Sequence, residues 1–178
     1  MSDALNFMKE RGKTKLILDL RNNGGGNMEV LEDICSLFIS KSNSVVAVAK
    51  YKNGDYKNFK MGASHYASFL QKVSIVANEN SASASECLIG ALNHYGETIY
   101  SNANLVIEKN ALGVAKTYGK GVMQTTYRKL GGEGIKITTA IIYQPNGETT
   151  INGVGFYASN ENSVEINQGV VRANAILG

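Results

Sequence analysis

The strongest constraint on the fold of this 178-residue chain is a pattern that occurs twice: a short apolar run, a loop of small residues, and then a helical pattern. The first copy is "KLILDLRNNGGG", followed by helical spacing of apolar residues from Met28 to Ser40. The second is "KVSIVANENSASASE", followed by a helical pattern over Ser85 to Tyr95. Strands that alternate with helices favour parallel pairing. We therefore expect an α/β fold with a largely parallel sheet.

The same periodicity assigns the other segments. A helix ends at Gly12, the second copy's helix ends at Gly96, "SVVAVAKY" is a strand, and "DYKNFK" is extended. Ala63 to Leu70 fits a short helix or a loop, and Gly119 to Tyr127 is ambiguous. In the run "GIKITTAIIYQ", large apolar residues recur at every second position, as they do in a strand. One face of this strand would carry Ile135, Ile137, Thr139, Ile141 and Tyr143.

Composition limits the class of protein. Apolar residues make up 43% of the chain and charged residues 19%, which is typical of a soluble globular protein. The net charge of +3 is spread along the chain, so we expect no nucleic-acid partner. No apolar run reaches membrane length and no leader opens the sequence. No repeat or linker divides it, which predicts one domain over residues 1–178.

The sequence lacks the residue patterns that metal and cofactor sites require. Cys35 and Cys87 fall inside predicted helices without ligand spacing, so we interpret both as buried thiols. His65 and His94 have no neighbouring ligands, although a Ser-His-Asp triad assembled through the fold stays open. "GVAKTYGKG" has the wrong glycine spacing for a P-loop, and "GGGNME" lacks dinucleotide spacing. We expect no metal and no cofactor.

The two loops of small residues are candidate anion-binding sites. Each precedes a predicted helix, whose first N–H groups are unpaired and carry a partial positive charge that stabilises an oxyanion. Glycines at 24, 25 and 26 let a substrate approach the backbone closely. The second loop carries three alternating hydroxyls, at Ser81, Ser83 and Ser85.

Four segments in order, "LILDLRNNGGG", "SASASE", "YGKGVMQT" and "GIKITTAIIYQPNGETTINGVG", resemble those of the C-terminal processing peptidases, also called tail-specific proteases. The resemblance runs from about Lys13 to Gly155. It implies a serine endopeptidase with a serine/lysine catalytic pair. It also implies a crotonase/Clp-protease-like spiral of strand-strand-helix units.

The resemblance selects individual residues. It implies that Ser83 is the nucleophile, that Lys120 is the base, and that Gln124 supports the lysine. The oxyanion hole would be formed by backbone N–H groups of Gly25, or Gly24, and of Ala84. Gly24 and Gly26 would lie against the substrate.

General chemistry agrees with these roles. Serine needs a base, and lysine acts as one only when it is neutral, which burial favours. The segment "YGKGVMQ" has no acid beside Lys120, so we expect a desolvated amine. Ser81 and Ser85 would shape the turn or the first helical turn. Asp19 and Arg21 would pair with each other or orient the glycines.

The sequence departs from the family pattern in three places. Relatives carry an earlier strand, and most have a PDZ-type domain before it, so we expect a catalytic core truncated at its N-terminus. "YSNANLVIEKNA" lengthens the serine-to-lysine separation, and "FYASNENSVEINQGVVRANAILG" replaces the usual tail. We expect the "YSNANLVIEKNA" segment to be a surface hairpin or loop beside the site. Its apolar centre, Leu105 to Ile107, would add an edge strand or contact a partner chain. Deletion of Asn102 to Asn110 would then leave the fold intact.

The resulting hypothesis is a peptidase that cleaves polypeptides near unstructured C-termini and binds them as an added strand. Two alternatives use the same scaffold: a non-catalytic module that binds a ligand or peptide, and an acyl-CoA enzyme of the crotonase type. The resemblance further implies an extracytoplasmic location, and it leaves a homo-oligomer open.

Overall fold

The computed structural model describes residues 1–95, 99–101, 104–128 and 131–178. The elements are α1 (Ser2–Glu10), β1 (Lys15–Asp19), α2 (Met28–Ser36), β2 (Val45–Tyr51), β3 (Tyr56–Lys60), β4 (Lys72–Ala77), α3 (Ala84–Tyr95), β5 (Leu105–Glu108), β6 (Val122–Arg128), β7 (Gly134–Tyr143), a 3₁₀ turn (Asn160–Asn162), β8 (Ser163–Val164) and α4 (Gly169–Leu177). Residues 63–70 form a loop, the ambiguous segment becomes β6, and Gly96 lies outside the described residues.

Four strands form a parallel sheet in the order β1-β4-β5-β8. Asp19 of β1 lies opposite Val76 of β4, and Val76 lies opposite Val106 of β5. The chain passes from β4 to β5 through α3, as parallel pairing requires. The α/β fold class with a parallel sheet is therefore confirmed.

The other four strands form a separate antiparallel sheet in the order β3-β2-β7-β6. The predicted alternation in β7 is present, but the face that packs on the core is the one opposite to Ile135, Ile137 and Ile141. Ala140 and Ile142 are buried, whereas Ile135, Ile137 and Ile141 are exposed. Periodicity identified the strand and could not identify its inner face, because apolar residues occur on both.

One large apolar core joins the two sheets through α2 and α3. It includes residues of β2, such as Val46, and residues of β4, such as Ile75, both fully buried. Cys35 and Cys87 are buried free thiols in this core, as expected. Burial raises the pKa of the Cys87 thiol to about 12, so this cysteine is protonated at neutral pH. Among the described residues, no helix has the length and apolar character needed to cross a bilayer.

The prediction of a surface hairpin or loop around Leu105 to Ile107 is wrong. This segment is β5, an interior strand that pairs in parallel with both β4 and β8. All four of its residues are buried. Polar residues at both ends of the segment favour a surface loop, but the main core covers Leu105 and Ile107 on one face of β5 and α4 covers Val106 on the other. Asn102 and Ala103 lie outside the described residues.

The position of β5 predicts a large stability cost for a small substitution there. Ile107 has 0% exposure, and Ile107→Ala should lower the free energy of unfolding by about 2–5 kcal/mol. The matched control is Ile135→Ala on β7, where the side chain is 61% exposed and the change should stay within about 0.5 kcal/mol. Urea unfolding of both variants measures this. Equal costs would contradict an interior β5.

Candidate active site

Parallel pairing of β1 with β4 brings together the two loops that the sequence singled out. The glycine loop, residues 20–27, follows β1, and the serine loop, residues 78–83, follows β4. Leu20 N continues the ladder by donating to Val76 O at 2.8 Å. Further along, Ala82 N donates to Asn23 O at 3.0 Å. The glycine loop and the serine loop therefore meet at the carboxyl ends of the two adjacent parallel strands and form one site.

The three serines have different positions. Ser81 is fully buried, and its hydroxyl donates to Leu20 O at 2.8 Å. The Ser85 hydroxyl donates to Asn23 O at 3.1 Å. Ser83 is half-buried and has φ of 59°, a left-handed conformation that is rare for a non-glycine residue and clusters at functional sites. Two serines therefore tie the loops together, and the third is presented on a strained turn directly before α3.

Polar side chains add further links at this end of the sheet. The backbone N–H of Asn22 donates to Asn78 Oδ1 at 3.0 Å, and the Asn22 side-chain oxygen Oδ1 accepts from Asn78 Nδ2 at 3.0 Å. Arg21 pairs with Asp19 at 2.6 Å and with the buried Glu108 of β5 at 2.8 Å. The hydrogen bond from Arg21 lowers the pKa of Asp19. The expected structural role of Asp19 and Arg21 is confirmed.

Gly25 fits tightly against the Ser83 turn. A Cβ at this position would lie 2.7 Å from both Ala82 O and Ala84 N, and φ is +93°. Only glycine allows this approach. Gly24 and Gly26 have open space where a side chain would start. The Gly25 N–H donates to Asn23 Oδ1 at 3.0 Å, so an oxyanion would have to replace that acceptor.

The lysine turn, residues 117–121, lies against the serine loop. Tyr118 N donates to Ser81 O at 3.0 Å. On its other side the turn contacts residues 152–156. Gly153 N donates to Gly119 O at 2.9 Å, and a Cβ on Gly121 would lie 2.5 Å from Asn152 N. Lys120 is half-buried at the centre of this arrangement.

A buried carboxylate that the sequence interpretation missed joins the lysine turn to Ser83. Glu86, with 0% exposure, accepts from Ser83 N and Lys120 N at Oε2, each at 2.9 Å. Its Oε1 accepts from Thr117 Oγ1 at 2.6 Å and from Gly119 N at 2.7 Å. No acidic residue is next to Lys120 in the sequence, but the fold brings the Glu86 carboxylate to its backbone, so the expectation of no acid beside Lys120 is wrong. The signal was present, since Ser83 and Glu86 form an S-x-x-E capping pattern.

The predicted support of Lys120 by Gln124 is not formed here. Gln124 is exposed on β6, directly after a bulge between Met123 and Gln124. Across the described ranges, no side-chain hydrogen bond links Lys120 to Gln124 or to the Ser83 hydroxyl. The backbone of Lys120 is nevertheless close to that of Ser83, since both nitrogens lie 2.9 Å from one oxygen atom.

The histidines lie elsewhere. His94 is exposed in the last turn of α3, about 15 Å along the helix axis from its first residue. His65 is exposed and lines a surface cleft with residues of α1 and α2, among them Leu5 and Asp33. Within the described part of the chain, no three His, Cys, Asp or Glu side chains group as metal ligands.

An apolar cavity of about 160 Å³ opens beside the Ser83 turn. Its volume equals that of roughly five water molecules. The backbone of Gly25, Gly26 and Ala84 forms the end nearest Ser83. Its apolar walls come from α2 and α3 and include Val30, Leu31, Ile34 and Leu88.

Comparisons with known proteins agree with this geometry. The model of peptidase family S41 matches residues 1–158. A protein of Staphylococcus epidermidis named "Probable CtpA-like serine protease" is 36% identical over 155 residues, which is 87% of this chain and 29% of that protein. A protein of the same name from Staphylococcus aureus is 34% identical over 156 residues, which is 87% of this chain and 28% of that protein. This chain thus spans less than a third of the length of these curated relatives.

Solved structures share the fold. The photosystem II D1 C-terminal processing protease superposes with a TM-score of 0.70 at 23% identity, covering 98% of this chain and 40% of that one. A lipoprotein from Streptococcus agalactiae superposes with a TM-score of 0.66 at 19% identity, covering 99% of this chain and 58% of that one. The family match spans both loops, the lysine turn and the buried carboxylate, and on this basis the chain belongs to peptidase family S41.

Proposed function

We propose that this chain is the catalytic core of a serine endopeptidase in which Ser83 is the nucleophile and Lys120 is the general base. One observation carries the proposal: a single oxygen of Glu86 binds the backbone nitrogens of both Ser83 and Lys120. Two residues 37 positions apart are thereby held side by side, next to a left-handed turn and an apolar cavity.

In the proposed reaction, Ser83 Oγ attacks the scissile carbonyl carbon. Neutral Lys120 takes the hydroxyl proton and later returns it to the leaving amine, which leaves an acyl-enzyme. Water then attacks the ester by the reverse sequence of proton transfers, and Ser83 is regenerated. Gln124 orients the lysine amine once the side chain turns inward from its exposed position on β6.

The proposed oxyanion hole consists of the N–H groups of Ala84 and Gly25. Ala84 N lies at the start of α3, where the helix dipole adds to its effect. Gly25 packs directly on that nitrogen. Exchange of the Asn23 acceptor for the substrate oxyanion would complete the pair, because both are oxygen acceptors of one N–H.

The substrate is proposed to be an extended polypeptide. β6 begins two residues after Lys120 and is the last strand of the antiparallel sheet, so its outer edge is unpaired among the described strands. A peptide can add there by main-chain hydrogen bonds, with Gly24 and Gly26 close to its backbone. Cleavage near unstructured C-termini, and an extracytoplasmic location, are proposed from the family resemblance.

The apolar cavity is proposed to hold the substrate side chain next to the scissile bond. It adjoins Ala84 and Gly25, the proposed oxyanion donors, and its lining is mainly aliphatic, with Asn23, Asn27 and Ser85 as the polar members. An aliphatic side chain gains free energy by leaving water there, whereas a charged one would lose its hydration without a partner. We infer a preference for aliphatic residues at this position.

A non-catalytic binding module on the same scaffold is the second candidate. The half-buried setting of Ser83 and Lys120 and the strained Ser83 backbone disfavour it, because a binding surface needs neither.

Cleavage of an unfolded protein such as casein tests the dyad. Ser83→Ala and Lys120→Ala should each lower the rate by orders of magnitude while circular dichroism stays unchanged. Lys120→Arg should be as inactive, because guanidinium stays charged and cannot take a proton. Gln124→Ala should have a smaller effect, and His65→Ala and His94→Ala should have little. An active Lys120→Arg variant, or an inactive histidine variant, would contradict the dyad.

Filling the cavity tests the side-chain preference. Gly26 lines the cavity and has room for a Cβ, so Gly26→Val should fold and lower cleavage after leucine by about tenfold or more, relative to cleavage after alanine. The matched control is Gly62→Val, at another exposed glycine with open space and no contact with the cavity. Peptide pairs that differ only at the cleaved residue supply the ratio. An unchanged ratio for Gly26→Val would place the side-chain site elsewhere.

A further inference from the structure

The carboxylate of Glu86 is more heavily engaged than helix capping requires. A capping residue of this type accepts one hydrogen bond, from the backbone at the helix start. Glu86 accepts four, and three of them come from the lysine turn: Thr117 Oγ1, Gly119 N and Lys120 N. We propose that Glu86 is a positioning residue that docks the lysine turn onto the Ser83 turn, an inference that rests on the proposed function of Ser83 and Lys120.

The hydrogen bonds suit a carboxylate and no other side chain. Backbone nitrogens can only donate, and three of the four partners are backbone nitrogens. The fourth, the Thr117 hydroxyl, accepts from Phe156 N at 2.8 Å and directs its own proton to Glu86. Each carboxylate oxygen therefore receives two donors.

An amide of the same shape cannot replace it. In Glu86→Gln, one of the two oxygens becomes an NH₂ group. In one orientation this group faces the Ser83 and Lys120 nitrogens, and in the other it faces Gly119 N and the Thr117 hydroxyl. In either orientation at least one backbone N–H then meets an NH₂ group in a fully buried site, because backbone nitrogens can only donate, and a buried unsatisfied donor costs more than one lost hydrogen bond. The lysine turn should move away from the Ser83 turn.

In the part of the chain that the structure describes, no hydrogen bond besides those of Glu86 joins the lysine turn to α3. The turn is also held by Tyr118 N to Ser81 O, by Gly153 N to Gly119 O, by Ile142 N to Gly121 O, and by the hydrogen bonds between Thr117 and Phe156. The first of these joins the turn to the serine loop two residues away from Lys120 and Ser83, and the others fix it to Gly153, Phe156 and β7, whereas Glu86 binds the nitrogens of Lys120 and Ser83 themselves. A shift of about 1 Å at a catalytic group can lower a rate about 10²-fold.

Hydrogen exchange and kinetics together test the inference. In Glu86→Gln, the amides of Gly119 and Lys120 should exchange faster, while those of β1, β4 and the middle of α3 keep their protection. kcat for an unfolded substrate should fall about 10²-fold. KM should stay nearly constant, because Glu86 does not line the apolar cavity. Unchanged exchange at Gly119 and Lys120, or a loss confined to KM, would overturn the inference.

The matched control removes another buried carboxylate. Glu108 accepts from Gly169 N at 3.0 Å and pairs with Arg21. Both donors bind Oε1, which the amide oxygen of Glu108→Gln can replace, so this variant should leave Gly119 and Lys120 protected. Increased exchange at Gly119 and Lys120 in this control would show a general loss of stability and would count against a specific role of Glu86.

Two further variants keep the test decisive. Should Glu86→Gln lose its cooperative melting transition, Thr117→Val removes one of the four donors and should still give faster exchange at Gly119 with a several-fold lower kcat. Wild-type exchange and kcat in that variant would overturn the inference. Ser83→Ala separates it from the proposed function: full activity of Ser83→Ala contradicts the peptidase mechanism, whereas an inactive Ser83→Ala beside a fully active Glu86→Gln contradicts only the role of Glu86.

Discussion

Parallel pairing of β1 with β4 is the constraint on which the site depends. Because the two strands run in the same direction and in register, both end at the same edge of the sheet. The glycine loop and the serine loop then meet without any long connection, and short hydrogen bonds from Ser81 and Ser85 lock them together. Slippage by one residue would separate Gly25 from the turn on which it packs.

The second half of the site comes from a different sheet. Ser83 follows a strand of the parallel sheet, whereas Lys120 leads into β6 of the antiparallel sheet. Their relative position therefore depends on how the two sheets pack, and on the contact made by Glu86. The turn that carries Lys120 also packs closely on residues 152–155, which leaves its glycines little space: Gly121 approaches Asn152, and Gly119 approaches Gly155.

Much of this could be predicted from the sequence, because local patterns report local structure. Apolar periodicity located β1, β4 and α3, and the small residues after β1 and β4 identified the two loops. Long-range relations could not be predicted in the same way. The burial of Leu105 to Ile107 depends on the main core and α4 covering the two faces of β5, and the inner face of β7 depends on which side the helices cover.

The candidate site shows the same limit. Ser83, Lys120, Gly25 and Ala84 could be chosen from motif resemblance, and the structure places their backbones together. Glu86 was visible only as a capping residue, because its contacts with Thr117 and Gly119 cross 31 and 33 residues of sequence. Gln124 shares the exposed face of β6 with Thr126, while Met123 and Thr125 take the half-buried face, and the motif does not reveal this alternation.

Covalent labelling tests the central claim most directly. After treatment with a serine-reactive fluorophosphonate, peptide mass mapping should find the adduct on Ser83 and not on Ser81 or Ser85, whose hydroxyls donate to backbone carbonyls. Labelling should be lost in Lys120→Arg, because guanidinium cannot accept the proton. An unlabelled Ser83, or labelling at an unchanged rate in Lys120→Arg, would contradict a serine nucleophile activated by Lys120.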